Sequence, residues 1–312
     1  MLSQPETHQA FIVSLLLVTL TGCFGGSDNR DEDLRGPDDA PPKPLTLVID
    51  NDNAAAALLQ SRSALEILPR MQRNANLLVA RGLNDMKECD NGDDFFIESA
   101  EEGQTTVVVF EDCADPANPF RTFDGRIDLN FSDPDVPFSH FFEYTNTINY
   151  NEQDRLEWAL TGGFTIQGET DDRFDNAEIR SNNAFARETF VSGSDSTTLE
   201  FQFEKHSVYF NPLISSESIP YPNLSGNSRV VLIGPAQGRV QISTPHYLDG
   251  RNFNTPFCYD TGEMVVDGAD GTRAQLDYNG TDIIVTVNGV ITLSGDCEAL
   301  IDELVEQAGL TR

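Results

Sequence analysis

From about Asp93 onward, apolar and polar residues alternate with a period of two, the mark of strands with one buried face. The clearest run is FSHFFEYTNTINY at 138–150. Phe138, Phe142, Tyr144, Ile148 and Tyr150 share one face, and Ser139, Glu143, Thr145, Thr147 and Asn149 take the other. A second run, TTLEFQFEKHSVYF at 197–210, places Leu199, Phe201 and Phe203 on one side. Its apolar side then switches to Val208 and Phe210, which predicts a bulge near Lys205. Phe123, Ile127, Leu129 and Phe131 mark a further strand. Others are predicted at 95–98, 104–111, 155–167, 174–191, 229–233, 238–244, 257–266, 272–278, 282–287 and 290–294.

Before this region the period is helical. Residues 53–81 hold AAAALLQSRSALEIL, rich in strong helix formers, with Asp52 or Asn53 placed to cap the start. Pro69 predicts a kink or two short helices, and Gly82 an end. A second helix is predicted at 297–308, capped by Asp296 and ended by Gly309, with Leu300, Ile301, Leu304, Val305 and Ala308 on one face. About a dozen strands exceed what one open twisted sheet usually holds. The expected fold is therefore mainly β. It is an antiparallel meander forming a curved sheet, sandwich or half-closed barrel, with an N-terminal helical segment and a short C-terminal helix.

The first residues follow a different logic. Ala10 to Leu20 form an apolar run too short to span a bilayer, of the length of a signal-peptide core. It ends in Leu20-Thr21-Gly22-Cys23. This resembles the lipobox of bacterial lipoproteins. The resemblance implies cleavage after Gly22, a diacylglyceryl thioether on Cys23 and further acylation of the new amino terminus, enough chains for stable anchoring. The segment before it, MLSQPETHQ, departs from the pattern in having no Lys or Arg. Phe24 stands where an Asp would imply inner-membrane retention, so the resemblance implies the outer membrane. It does not say whether the protein faces the periplasm or the exterior. Residues 1–22 are thus expected to be a signal peptide, 23–44 an acidic Gly/Pro-rich tether, and 45–312 a single β-rich domain.

The chain carries a net charge of −31, with Lys only at Lys43, Lys87 and Lys205. Such a surface repels phosphates and excludes nucleic acid as a partner. The acids are read as a solvated surface without a specific cationic partner. With Cys23 taken by lipid, four cysteines remain in an oxidising compartment, and four allow three connectivities. A hairpin would bring Cys89 and Cys113 together, which leaves Cys258 with Cys297. On a flat sheet that second pair would lie about 14 Å apart, too far for a bridge. Either the sheet curls or the terminal helix folds back.

Catalytic signatures are missing: there is no HExxH, GxSxG or P-loop. His140 and Glu143 sit three apart on a strand, which sends them to opposite faces. No CxxC spacing supports zinc, and no cofactor is implied. Asp267 and Asp270 are weak calcium candidates, in Asp-Gly turns that also suit hairpins. The segment 211–227 reads as a long irregular loop. The layout of helix, disulfide hairpin and meander resembles proteobacterial envelope lipoproteins, which implies no activity. The sequence thus points to a lipid-anchored, non-enzymatic binding or scaffolding protein of the envelope. A hydrophobic-ligand carrier is the specific form of that reading, with an envelope protein or a lipid as partner. The rival is a hydrolase of envelope polymers or polysaccharide.

Overall fold

A computed structural model describes residues 43–83, 96–99, 105–115, 118–131, 139–151, 156–168, 177–192, 195–210, 224–250 and 258–310. The signal and tether, Cys23, Cys89 and most of the 211–227 loop lie outside these residues.

Asn53 stands directly before helix α1 (Ala54–Leu83). Its side chain turns backward, accepting from Asp50 N at 3.1 Å and donating to Val48 O at 2.9 Å. Asp50 Oδ1 in turn accepts from the backbone of Asp52 and Asn53. The capping residues therefore fix the entry of the chain rather than the first free N–H groups of the helix. Pro69 does not divide the helix in two: α1 runs through it and ends one residue past Gly82.

The strands follow in order: β1 (Phe96–Ser99), β2 (Thr105–Asp115), β3 (Asn118–Phe131), β4 (Ser139–Asn151), β5 (Leu156–Gly168), β6 (Ala177–Ser181) and β7 (Phe185–Ser192). After them come β8 (Asp195–Phe210), β9 (Ser225–Ile233), β10 (Gly238–Asp249), β11 (Thr261–Asp267), β12 (Arg273–Asn279), β13 (Asp282–Val287) and β14 (Val290–Asp296). Helix α2 (Cys297–Gln307) follows. All fourteen strands join one antiparallel sheet that runs from β1 to β14 without closing. The curved sheet is the form realised among those the sequence allowed.

One strand departs from expectation. The single run predicted at 174–191 is two strands, β6 and β7, separated by Asn182–Ala184. Both fill the place between β5 and β8, each pairing with a different stretch of those neighbours. Ser181 makes the break: its hydroxyl donates to Gly163 O and accepts from Ala184 N. Across the break, Gly162 has φ +109°, and a Cβ there would stand 2.9 Å from Ala184 Cα. Only glycine suits both the backbone angle and that approach. In β8 the bulge is where the parity switch placed it, between Phe203 and Lys205 in the pairing with β9.

The concave side of the sheet is occupied by α1, which packs against β5, β7, β8, β9, β11, β12 and α2. Ala54 to Ala57, Leu58, Leu59, Ala64, Leu65, Ile67 and Leu68 are buried, and so are Gln60, Ser61, Arg62 and Glu66. This first half of α1 is buried on every side rather than along one stripe, as a helix enclosed by other elements must be. Gly226 on β9 allows the closest approach: a Cβ there would meet Leu65 Cδ2 at 2.8 Å. Helix α2 caps this core. Asp296 accepts from Ala299 N as its N-cap, and Leu300, Ile301 and Leu304 turn inward.

Candidate functional site

Enclosing a helix that carries Gln60, Arg62 and Glu66 obliges the protein to pair them, because buried unpaired polar groups are costly. Arg62 and Glu66 are one helical turn apart and share a face. Arg62 Nε and Nη2 donate to Glu66 Oε1 at 3.0 and 2.9 Å. Tyr259, just before β11, donates its hydroxyl to the same oxygen at 2.8 Å. The Arg62 guanidinium carbon lies 5.3 Å from the centre of the Tyr259 ring, and Tyr278 of β12 meets that ring edge-on with centroids 5.3 Å apart. Gln60 Oε1 accepts from Ala236 N in the β9–β10 turn at 2.6 Å.

The electrostatics follow from enclosure. Burial pulls the Arg62 pKa down, but the Glu66 carboxylate, by charge and by hydrogen bond, outweighs it, so the guanidinium stays charged, above its ordinary value. Burial, reinforced by Glu66, pushes Tyr259 well above its usual range, and burial likewise raises Tyr278. Both phenols are therefore neutral; Tyr259 donates to Glu66, while the buried Tyr278 hydroxyl has no hydrogen-bond partner among the described residues. Arg62 and Glu66 are each 2% exposed. A substrate cannot reach such a pair, so the cluster holds the helix in rotation and register and does not serve as a reaction centre.

A second polar contact crosses the sheet. His206 on β8 faces Ser181 of β6 and Ser228 of β9 in the strand register. Its Nδ1 lies 2.8 Å from Ser228 Oγ, and its ring packs on Phe203 with centroids 4.5 Å apart. Burial lowers its pKa to about 3, so the imidazole is neutral. Both residues are sealed from solvent.

The residues singled out in the sequence fall elsewhere. Cys258 and Cys297 form a disulfide with Cα atoms 5.9 Å apart. Cys297 opens α2, its N–H donates to Thr281 O, and Gly280 N donates to Asp260 O, so the turn between β12 and β13 holds the two cysteine-bearing segments side by side. Cys113 is buried and disulfide-bonded. Cys23 and Cys89 lie outside the described residues. Asp267 Oδ1 accepts from Arg273 Nε at 2.7 Å, and Asp270 occupies a left-handed position, φ 56°, in the β11–β12 turn. Among the described residues no group of three or more His, Cys, Asp and Glu side chains gathers as a metal-ligand set. His140 and Glu143 pair along β4 with Ile166 and Gly163 of β5.

Sequence reasoning missed Arg62, Glu66, Tyr259, His206 and Ser228. The one available signal was the His206 parity: after the bulge it joins Val208 and Phe210 on the inward side. Comparison with family models, with curated proteins and with solved structures finds no match to this chain.

Proposed function

We propose that the protein is a lipid-anchored component of the outer membrane with a non-enzymatic scaffolding or binding role in the cell envelope. The anchor rests on Leu20-Thr21-Gly22-Cys23 after its apolar run. The observation that carries the scaffolding role is the enclosure of α1. A carrier of hydrophobic ligands needs an apolar cavity open to solvent. Among the described residues, the space against β5, β7, β8, β9, β11 and β12 is filled by the chain's own residues 54–68. A packed interior with its polar groups sealed supports a rigid body that presents its outer surface to an envelope protein.

The test has two parts. Expressed with its own leader in a Gram-negative host, the protein should take up labelled palmitate and sediment with outer membranes, and Cys23→Ser should do neither. Native mass spectrometry of the acylated protein should then show the polypeptide and its covalent acyl groups alone. A stoichiometric non-covalent lipid in that spectrum would overturn the scaffold in favour of a carrier.

A further inference from the structure

Six large apolar side chains are exposed among the described residues: Val48, Phe185, Tyr209, Tyr247, Val290 and Ile291. They are unevenly placed, and the three aliphatic ones share one end of the domain. The turns 234–237, 268–272 and 288–289 join β9 to β10, β11 to β12 and β13 to β14, so all three lie at the same end of the antiparallel sheet. Tyr209 and Tyr247 sit toward the opposite ends of β8 and β10.

The incoming chain crosses these same turns. Arg239 Nη1 donates to Pro44 O, and Thr46 N donates to Arg239 O. Ala269 N donates to Leu47 O, Ile49 N to Thr272 Oγ1, and Asn288 Nδ2 to Ile49 O. Leu47 and Ile49 point into the core, so the extended chain turns Val48 outward, 47% exposed. Val290 and Ile291 follow directly on the turn of Asn288 and are 65% and 63% exposed. They project to opposite faces of the edge strand, so its tip is apolar on both sides.

We propose that this end of the domain rests on the zwitterionic bilayer surface that carries the lipid anchor, with Val48, Val290 and Ile291 entering the headgroup region. The inference rests on the anchoring proposed above. Residues 24–43, between Cys23 and this entry point, span no more than about 70 Å even fully extended. The domain is thus confined near the surface, where a few aliphatic groups suffice to orient what they could not recruit alone. The charges fit a neutral surface. Arg239 is already paired with Glu204, and Arg273 with Asp267, while Asp50 and Asp270 add negative charge at the same end. Lys43 at the same entry point is outnumbered by these two acids, so among the described residues no positive surplus is left there for anionic lipid.

The test uses the full acylated chain in phosphatidylcholine vesicles. Trp158 is the sole tryptophan, so Trp158→Phe provides a background for one reporter at a time, Ile291→Trp at the tip or Tyr247→Trp at the far end. Both sites are exposed, so the fold should accept the ring; hydrogen exchange of 288–292 in the wild type, with and without vesicles, supplies a reading free of substitutions. With bromine on the acyl chains, the Ile291→Trp reporter should lose about half its emission and the Tyr247→Trp reporter almost none. Equal quenching at both sites, or none at the tip, overturns the orientation. The mass of the same sample separates this from a failed anchor. Acyl mass with an unquenched tip refutes this inference alone, and no acyl mass refutes the anchor and the inference together. Stronger tip quenching in vesicles rich in phosphatidylglycerol refutes the neutral-surface assignment.

Discussion

Tyr259 donates its hydroxyl to Glu66 Oε1 at 2.8 Å, joining the enclosed helix to the start of β11 across 193 positions of sequence. Glu66 also holds Arg62, so one carboxylate oxygen gathers three contacts in a site closed to water. A buried pair gains little over an apolar pair of the same shape, because desolvation offsets the attraction. Removing one partner is different, since it strands the other charge. Glu66→Ala should therefore cost about 3–5 kcal/mol in denaturant unfolding, and Arg62→Met with Glu66→Leu should recover most of it. A loss under about 1 kcal/mol for Glu66→Ala would mean the pair is not enclosed.

The Cys258–Cys297 bridge closes a separation of 39 residues and ties the start of α2 to the strand end beside Tyr259. Replacing both cysteines by serine should lower stability by about 4 kcal/mol, the loop entropy returned to the unfolded chain. Exchange of α2 amides should rise more than that of β9 and β10, which lie farther from the bridge.

His206 makes the fold sensitive to acid in a defined window. Its pKa falls from 6.5 in the open chain to about 3 in the fold through burial. Between those values the unfolded chain binds a proton that the folded chain refuses. Stability is therefore unaffected above 6.5 and declines as pH falls below it. The wild type should lose about 1.4 kcal/mol per pH unit between pH 6 and 4 relative to His206→Gln. Unfolding midpoints of both proteins across that range check the difference, and parallel curves would contradict it.

Much of the sheet was legible because period-two alternation is local. The bulge before Lys205 could be read from the residues alone, since a change of parity along one strand has few other causes. The break at Asn182–Ala184 was not, because Ser181 ends β6 through a bond to Gly163, a residue of another strand. The cluster was hidden for a similar reason. In sequence, Arg62 and Glu66 look like a solvated helical pair, and only the enclosure of α1 reveals them as core. Their third partner, Tyr259, is remote along the chain, 193 positions from Glu66.

Gly226 tests how closely the helix lies on β9. Gly226→Ala should cost about 1–3 kcal/mol by driving a methyl against Leu65 Cδ2, 2.8 Å away, and against Val208 Cγ2 at 3.0 Å. In a Leu65→Ala background the same change should cost less, giving a coupling of about 1 kcal/mol in a double-mutant cycle. Simple additivity would place the helix elsewhere.

The central claim is that the first half of α1 is the protein's own filling for its sheet. Hydrogen exchange followed by mass spectrometry tests it most directly. Amides of Ala54–Leu68 should exchange as slowly as those of β9 and β10, only through global unfolding, and should be unaffected by added lipid or detergent below denaturing levels. Rapid exchange of that segment while β9 and β10 stay protected, or its release on adding lipid, would contradict the account and reopen the interior to a ligand.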